Sequence, residues 1–258
     1  MAKEADATLN KYLAAGLIQH STSPYSSPPV VIPKKSGGVR ITVNYKNLNK
    51  ISSLSQLPIP RVTQVLDSLD KARVFSFFDL VSSFHQIASH KDTVPQTTFC
   101  TPAGLYELLV FPQGRSASPR WFVNVINEVI KGLEQVAAYI HDVIGFDSDP
   151  TAHVRTMRAL FERLRKHNLE FSPSKARLGA TDADSLGHSI SAAGVHPNAD
   201  KNYAFIKMAM PQDLQQVRAL LGGAGYYSTF LRDLSERIRQ ISALLGKGIK
   251  FISSLLWK

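Results

Sequence analysis

Leu9, Tyr12, Leu13 and Leu17 recur at the spacing of one helical face, and Gly16 supplies a stop near its end. The next stretch, STSPYSSPP, is forced into extended backbone, because each proline fixes its own φ and biases its predecessor away from helix. VVIP and VRITVNY flank KKSGG and predict a hairpin, with Val39, Ile41 and Val43 on one face and Arg40, Thr42 and Asn44 on the other. Val62, Val65, Leu66 and Leu69 mark a short amphipathic helix, and ARVFSFFDL reads as a buried strand ending in Asp79. Ser118-Pro119 predicts an N-cap and first helical residue, followed by an apolar stripe of Phe122, Val125, Ile126, Val129 and Leu133. AAYIHDVIGFD predicts two short strands meeting at His141-Asp142. Asp149-Pro150 starts a helix with the stripe Val154, Met157, Phe161 and Leu164 and a basic end at Arg165, Lys166 and His167. Short strands separated by turns are expected across ARLGATDADSLGHSISAAGV, and helices again from about Asn198.

Composition narrows the class. The chain has 258 residues, enough for one large domain or two to three small subdomains, and its 44% hydrophobic and 19% charged content is that of a globular protein. Thirty Lys and Arg against 20 Asp and Glu leave a charge of +10, which favours a polyanionic partner, nucleic acid before membrane. Residues 201–258 carry 9 Lys and Arg against 3 Asp and Glu, so the helical tail is its own basic unit. A single Cys100 excludes an internal disulfide and a multi-cysteine zinc site. Without an apolar run of about 18 residues or a visible targeting signal, the expectation is an intracellular protein, cytoplasmic or nuclear, with no membrane partner.

Two carboxylates are candidates for chemistry. Asp79 closes a strand too apolar to be exposed on both sides, where it either caps the next turn or faces a site. Asp142 stands at a hairpin tip, a position that turns favour for local reasons as well. On the edge strands of one sheet, the two could converge on a pair of Mg²⁺ ions, which take one or two protein carboxylates plus substrate phosphates. Lys34, Lys35 and Arg40 lie at or near one turn and could close over a triphosphate, or be merely solvated.

The order of these pieces resembles the reverse transcriptase domain of gypsy-like LTR retrotransposons, and more distantly that of retroviruses, over nearly the whole chain. The matching stretches are SPYSSPPVVIPKKSGGVRITVNYKNLNK, FSFFDLVSSFHQI, TTFCTPAGLYELLVFPQGRSASPRWF, YIHDVIGFD, LRKHNLEFSPSKARLG, SLGHSISAAGV and ALLGGAGYYSTFL. The resemblance implies an α+β right-hand polymerase. Fingers would span 1–54 and 87–117; a palm with an antiparallel sheet flanked by helices would span 55–86 and 118–200. A helical thumb would follow at 201–258, with no RNase H region read after it. It further implies Asp79 and Asp142 as metal ligands, Lys35, Arg40, Phe84 and Gln113 around the incoming nucleotide, and Leu186, Gly187 and His188 as the primer grip. Phe84 would be the aromatic gate against a 2′-hydroxyl. The implied cofactors are two Mg²⁺ ions, with Mn²⁺ as the alternative, and the implied partners are an RNA or DNA template-primer and a deoxynucleoside triphosphate.

The chain departs from that family at its centre. The palm hairpin of the family reads Tyr-x-Asp-Asp; here it reads Tyr139-Ile140-His141-Asp142. Imidazole is a nitrogen donor suited to zinc, copper or iron rather than magnesium, and it brings no negative charge. Val39, Asn44, Ser83 and Arg115 stand where the family has Trp, Asp, Gly and Leu, and Arg115 sets a charge near the template strand or the core. The expectation is a reverse transcriptase-like domain impaired in Mg²⁺-dependent synthesis. Its rivals are a working polymerase, a non-catalytic nucleic-acid-binding remnant, and a decayed fragment without a selected role. A zinc site fails on ligand count, since His141 and Asp142 alone are too few.

Overall fold

Aromatic and β-branched runs make the central strands, and the helices lie where the apolar stripes repeat. The computed structural model describes residues 2–34, 37–53, 60–69 and 71–246, which divide into two units, 1–180 and 181–258. In chain order the first unit contains α1 (Ala2–Ala14), β1 (Ile18–His20), β2 (Pro29–Pro33), β3 (Val39–Val43), α2 (Lys46–Ile51), α3 (Val62–Ser68) and β4 (Val74–Asp79). It continues with β5 (Phe99–Thr101), β6 (Gly104–Leu108), α4 (Ser118–Ile130), β7 (Val136–Tyr139), β8 (Asp142–Asp147), α5 (Pro150–Lys166) and β9 (Arg177–Ala180).

Two cores form within this unit. The predicted hairpin of β2 and β3 is present, and Val39, Ile41 and Val43 are all buried on one face. Ile41 and Val43 pack with Leu9, Ile18, Tyr45, Phe99, Tyr106 and Leu108, joining α1 to the three-stranded sheet β1-β6-β5. The second core lies on the four-stranded antiparallel sheet β7-β8-β4-β9, where Phe78, Val136, Ala138 and Val143 meet Phe122, Ile126 and Val129 of α4 and Met157, Leu160 and Leu164 of α5. Gly145 permits this approach: a Cβ there would stand 2.0 Å from the Met157 Cε.

Strand β4 pairs with β8 in a register running from Val74 opposite Asp147 to Asp79 opposite Asp142. Side chains alternate across a strand, so Ser76 and Phe78 point with Gly145 and Val143 toward α5, while Asp79 and Asp142 share the other face. A bulge interrupts the β4–β9 ladder at Ser76. Its hydroxyl accepts the Gly179 N–H at 3.0 Å and meets His153 Nε2 at 2.7 Å, and His153 Nδ1 meets Asp147 Oδ2 at 2.8 Å. A carboxylate at Asp147 only accepts, so Nδ1 carries a proton, and the direction of the Ser76–Nε2 bond follows the tautomer. Thr156 donates to the other Asp147 oxygen at 3.0 Å. The order Ser-His-Asp matches that of acyl-transfer enzymes, but Ser76 is 0% exposed, so no substrate reaches it. This is an internal tie between β4, β8, β9 and α5.

Two expectations are corrected here. Asp149 caps α5 as predicted, accepting from the Thr151 and Ala152 N–H groups, but Val154 is 61% exposed and His153 is buried in its place. Ser118 lies inside the first turn of α4 rather than capping it, and its hydroxyl donates to the Pro112 carbonyl at 2.8 Å.

The second unit begins with the antiparallel strands β10 (Asp182–Ser185), β11 (His188–Ser191) and β12 (Gly194–Pro197). Helices α6 (Ala199–Ile206), α7 (Leu214–Tyr226), α8 (Leu234–Arg237) and α9 (Arg239–Ala243) follow. Leu186 and Gly187 turn the β10–β11 hairpin with φ of 49° and 70°. Tyr226 and Tyr227 donate their hydroxyl protons to the carbonyls of Leu186 and Gly187, and His188, 2% exposed, lies among the rings of Tyr226, Tyr227 and Phe230. The turn and the end of α7 are thereby one piece. No helix among the described residues is long and apolar enough to cross a membrane.

Candidate active site

The site opens where β4 and the β7–β8 turn end. Ile140 takes φ of 54°, which tightens the turn, and the Leu80 N–H donates to the His141 carbonyl at 3.2 Å. Asp79, His141 and Asp142 thus meet, with one donor atom from each within 4.8 Å of the others. His141 Nδ1 lies 3.2 Å from Asp142 Oδ1 and 3.8 Å from Asp79 Oδ1. The hydrogen bond to Asp142 raises the His141 pKa above its usual 6.5, against a lowering by burial, and the charges of Asp142 and Asp79 add to the rise. The structure therefore supplies the third ligand, Asp79, that the two-residue zinc count lacked.

Lys175 was not singled out from the sequence, and it bears directly on this cluster. Its Nζ lies 2.6 Å from Asp79 Oδ2, on a turn closed by hydrogen bonds from Lys175 N and Ala176 N to the Ser172 carbonyl. Nothing local signals the contact, because Lys175 comes 96 residues after Asp79. The donor set can hold one divalent cation through two carboxylates and an imidazole. It is poor in anionic oxygen for two hard ions, since one carboxylate already carries an ammonium and both face the imidazole.

Around the cluster is a cavity of about 670 Å³, and Lys34, Arg40, Asp79, Phe84, Gln113, Arg115, His141 and Lys175 all line it. The structure thus brings Arg40, Phe84 and Gln113 together with Asp79 and His141, while Lys35 lies outside the described residues. Arg40 stands across from Ile32 on the hairpin, exposed, opposite in sense to its buried neighbours. His85 also lines the cavity, and its pKa is held below 6.5 first by burial and then by the Arg40 charge. Phe84 sits in a short 3-10 turn (Ser83–Gln86), tilted against Phe122 with centroids 5.3 Å apart. Leu186, Gly187 and His188 belong to the second unit, in the turn described above.

Gln113 is presented by a loop that depends on Gly114. That residue has φ of 98°, and a Cβ on it would stand 2.5 Å from the Val43 carbonyl oxygen. Its own carbonyl accepts from Asn49 Nδ2 at 3.0 Å. Gly114→Ala is expected to lower unfolding stability by about 1–3 kcal/mol, through backbone strain that no rotamer relieves. A urea midpoint equal to the parent's would contradict this account of the loop.

With this geometry in place, comparison with known proteins is informative. The family model described as reverse transcriptase (RNA-dependent DNA polymerase) matches residues 32–190. The retrovirus-related Pol polyprotein from transposon 297 of Drosophila melanogaster is 32% identical over 254 residues, which cover 96% of this chain and 24% of that polyprotein. The Tf2-3 transposon polyprotein of Schizosaccharomyces pombe is 26% identical, over 94% of this chain and 18% of its own length. The chain therefore spans about a quarter or less of these relatives. Among solved structures, a foamy viral protease-reverse transcriptase in complex with double-stranded DNA superposes with a TM-score of 0.88 at 22% identity, over 99% of this chain and 46% of that one. The same kind of protein in complex with an RNA/DNA hybrid gives 0.82 at 21% identity, over 100% of this chain and 36% of that one. At that identity the likeness concerns the fold alone, but the family match covers more than half of the residues. The chain belongs to the reverse transcriptase (RNA-dependent DNA polymerase) family.

Proposed function

We propose that this chain is the polymerase segment of a retrotransposon-type Pol protein that retains template-primer binding and is impaired in magnesium-dependent nucleotidyl transfer. The observation that carries the reading is His141 between Asp79 and Asp142, with Lys175 on Asp79. In this reading residues 1–54 and 87–117 are fingers, 55–86 and 118–200 palm, and 201–258 thumb. Asp79 and Asp142 are the remaining metal ligands. Two Mg²⁺ ions would normally neutralise the charge that moves during phosphoryl transfer. Here a cation and an imidazole already satisfy much of the carboxylate charge, so the donor set does not fit a pair of such ions. The parts that bind without chemistry remain: Arg40, Phe84 and Gln113 around the cavity, and Leu186, Gly187 and His188 held as one rigid turn. The foamy viral complexes with duplex and hybrid support a nucleic-acid partner of the same kind.

Two measurements test the two halves. Primer extension on an RNA template, parent beside His141→Asp, tests the impairment. A salt titration on a primer-template duplex tests the binding. Contacts to phosphate release counterions, so affinity is expected to fall on the order of a thousandfold between 50 and 200 mM salt if six or more phosphates are engaged. A flat salt response, or no binding at low salt, removes the nucleic-acid reading.

A further inference from the structure

We propose that Tyr226 and Tyr227 are positioning residues for a primer end: their hydroxyls hold the Leu186-Gly187 turn, so that the turn and the end of α7 meet the strand as one surface. The inference rests on reading that turn as the part that grips the primer. Neither tyrosine belongs to the turn, and each acts through it.

The turn itself departs from what a hairpin favours. Two-residue turns with positive φ at both positions prefer Asn-Gly, because asparagine tolerates the left-handed backbone. Here the pair is Leu186-Gly187, with φ of 49° and 70°, set between the ladder partners Ser185 and His188. Leucine has no polar group with which to hold itself in that conformation. Backbone strain of this kind persists where the surroundings over-determine it, and it gathers at ligand clamps. The surroundings do so here. The Leu186 carbonyl accepts from the Tyr226 hydroxyl and from His188 Nδ1, the latter at 2.7 Å. The Gly187 carbonyl accepts from the Tyr227 hydroxyl at 3.1 Å and from the Asn198 N–H, at the start of α6, at 3.2 Å. The fit is steric as well as polar: a Cβ on Gly187 would stand 3.4 Å from the Tyr226 hydroxyl oxygen and 3.5 Å from that of Tyr227. The two tyrosine rings meet edge to face at 5.1 Å between centroids, and the His188 ring lies 5.4 and 5.5 Å from them. A turn that only reversed the chain would need none of this, since asparagine would serve. Two hydroxyl bonds from one helix end fix the turn's offset from that helix. A helix that follows duplex phosphates then carries the turn to a constant place along the strand.

The test is equilibrium binding of the full chain to a primer-template with a recessed 3′ end and to a blunt duplex of equal length, with hydrogen exchange of residues 185–188 on the same samples. The parent is expected to prefer the recessed end by about tenfold. The double variant Tyr226→Phe with Tyr227→Phe keeps both rings and is expected to lose that preference, the worth of roughly two neutral hydrogen bonds. Its affinity for blunt duplex should stay within about twofold of the parent's, while 185–188 exchange faster. Each single variant should lose part of the preference, and these serve if the double variant folds poorly. Equal weakening on both substrates would reduce the hydroxyls to a role in folding and overturn the proposal. So would variants that keep the parent's preference, or exchange at 185–188 no faster than in the parent. A parent with no preference for the recessed end, yet bound to blunt duplex, would remove the primer-grip reading and this proposal with it, and leave the nucleic-acid reading standing.

Discussion

His141→Asp is expected to raise magnesium-dependent primer extension by about a thousandfold or more over the parent. Removing one member of a catalytic constellation costs on the order of 10³- to 10⁶-fold, and restoring it recovers that range if the remaining members are in place. In the proposed reading those members are Asp79 and Asp142, which face each other across the β4–β8 pair, on a ladder that continues without a break to Val74 opposite Asp147. The turn can accept the change. His141 is half exposed on its side chain, and it contributes to the fold through its backbone carbonyl, which any residue provides. The electrostatic case is direct. With His141 neutral, the two carboxylates and Lys175 sum to one negative charge; with the imidazole protonated, to none; with an aspartate in its place, to two. Only the last leaves anionic oxygen to spare once Lys175 has taken Asp79. Manganese tolerates nitrogen donors better than magnesium, so the gain over the parent is expected to be smaller in Mn²⁺. Parent and revertant with equal rates in Mg²⁺ would end the reading of an impaired palm.

Much of this site is legible in the amino-acid sequence. Asp79 closes a strand of unmistakable β character, and the residues around His141 alternate cleanly enough to place a hairpin tip. The hairpin that carries Arg40 was equally plain, because Val39, Ile41 and Val43 share a period of two and all proved buried. Long-range polar contacts were not legible. Lys175 meets Asp79 only through the packing of a distant turn, and Arg115, read as lying near either template or core, proved to line the cavity. Ser118 misled because its neighbour Pro119 marks a helix start whether the serine caps it or sits in its first turn. The stripe on α5 failed by one residue for a physical reason. Hydrophobic periodicity weighs Val154 above His153, and it cannot see that Asp147 and Ser76 wait in the core to bind an imidazole.

That one-residue error yields the other large prediction. His153→Ala is expected to destabilise the protein by about 3–5 kcal/mol, while Val154→Ala should stay within about 0.5 kcal/mol of the parent. The histidine is 3% exposed and its two nitrogens join Asp147, 6% exposed, to Ser76. Truncating it leaves a buried carboxylate with, among the described residues, only Thr156 on its side chain, and removes the imidazole partner of Ser76. It also opens space beside Gly145, where a Cβ would stand 3.7 Å from the His153 Cε1. A domain whose whole margin is about 5–15 kcal/mol would lose a large share of it. The consequence reaches the site, because Ser76 lies three residues before Asp79 on β4 and Asp147 five after Asp142 on β8. A slip of one residue in that pairing would send one carboxylate to the wrong face. Urea unfolding of the parent and the two variants checks the prediction, with duplex affinity measured on the same samples. Should Val154→Ala prove the costlier change, α5 packs as hydrophobic periodicity alone predicts, and the internal tie beneath the two aspartates is not what holds them opposite each other.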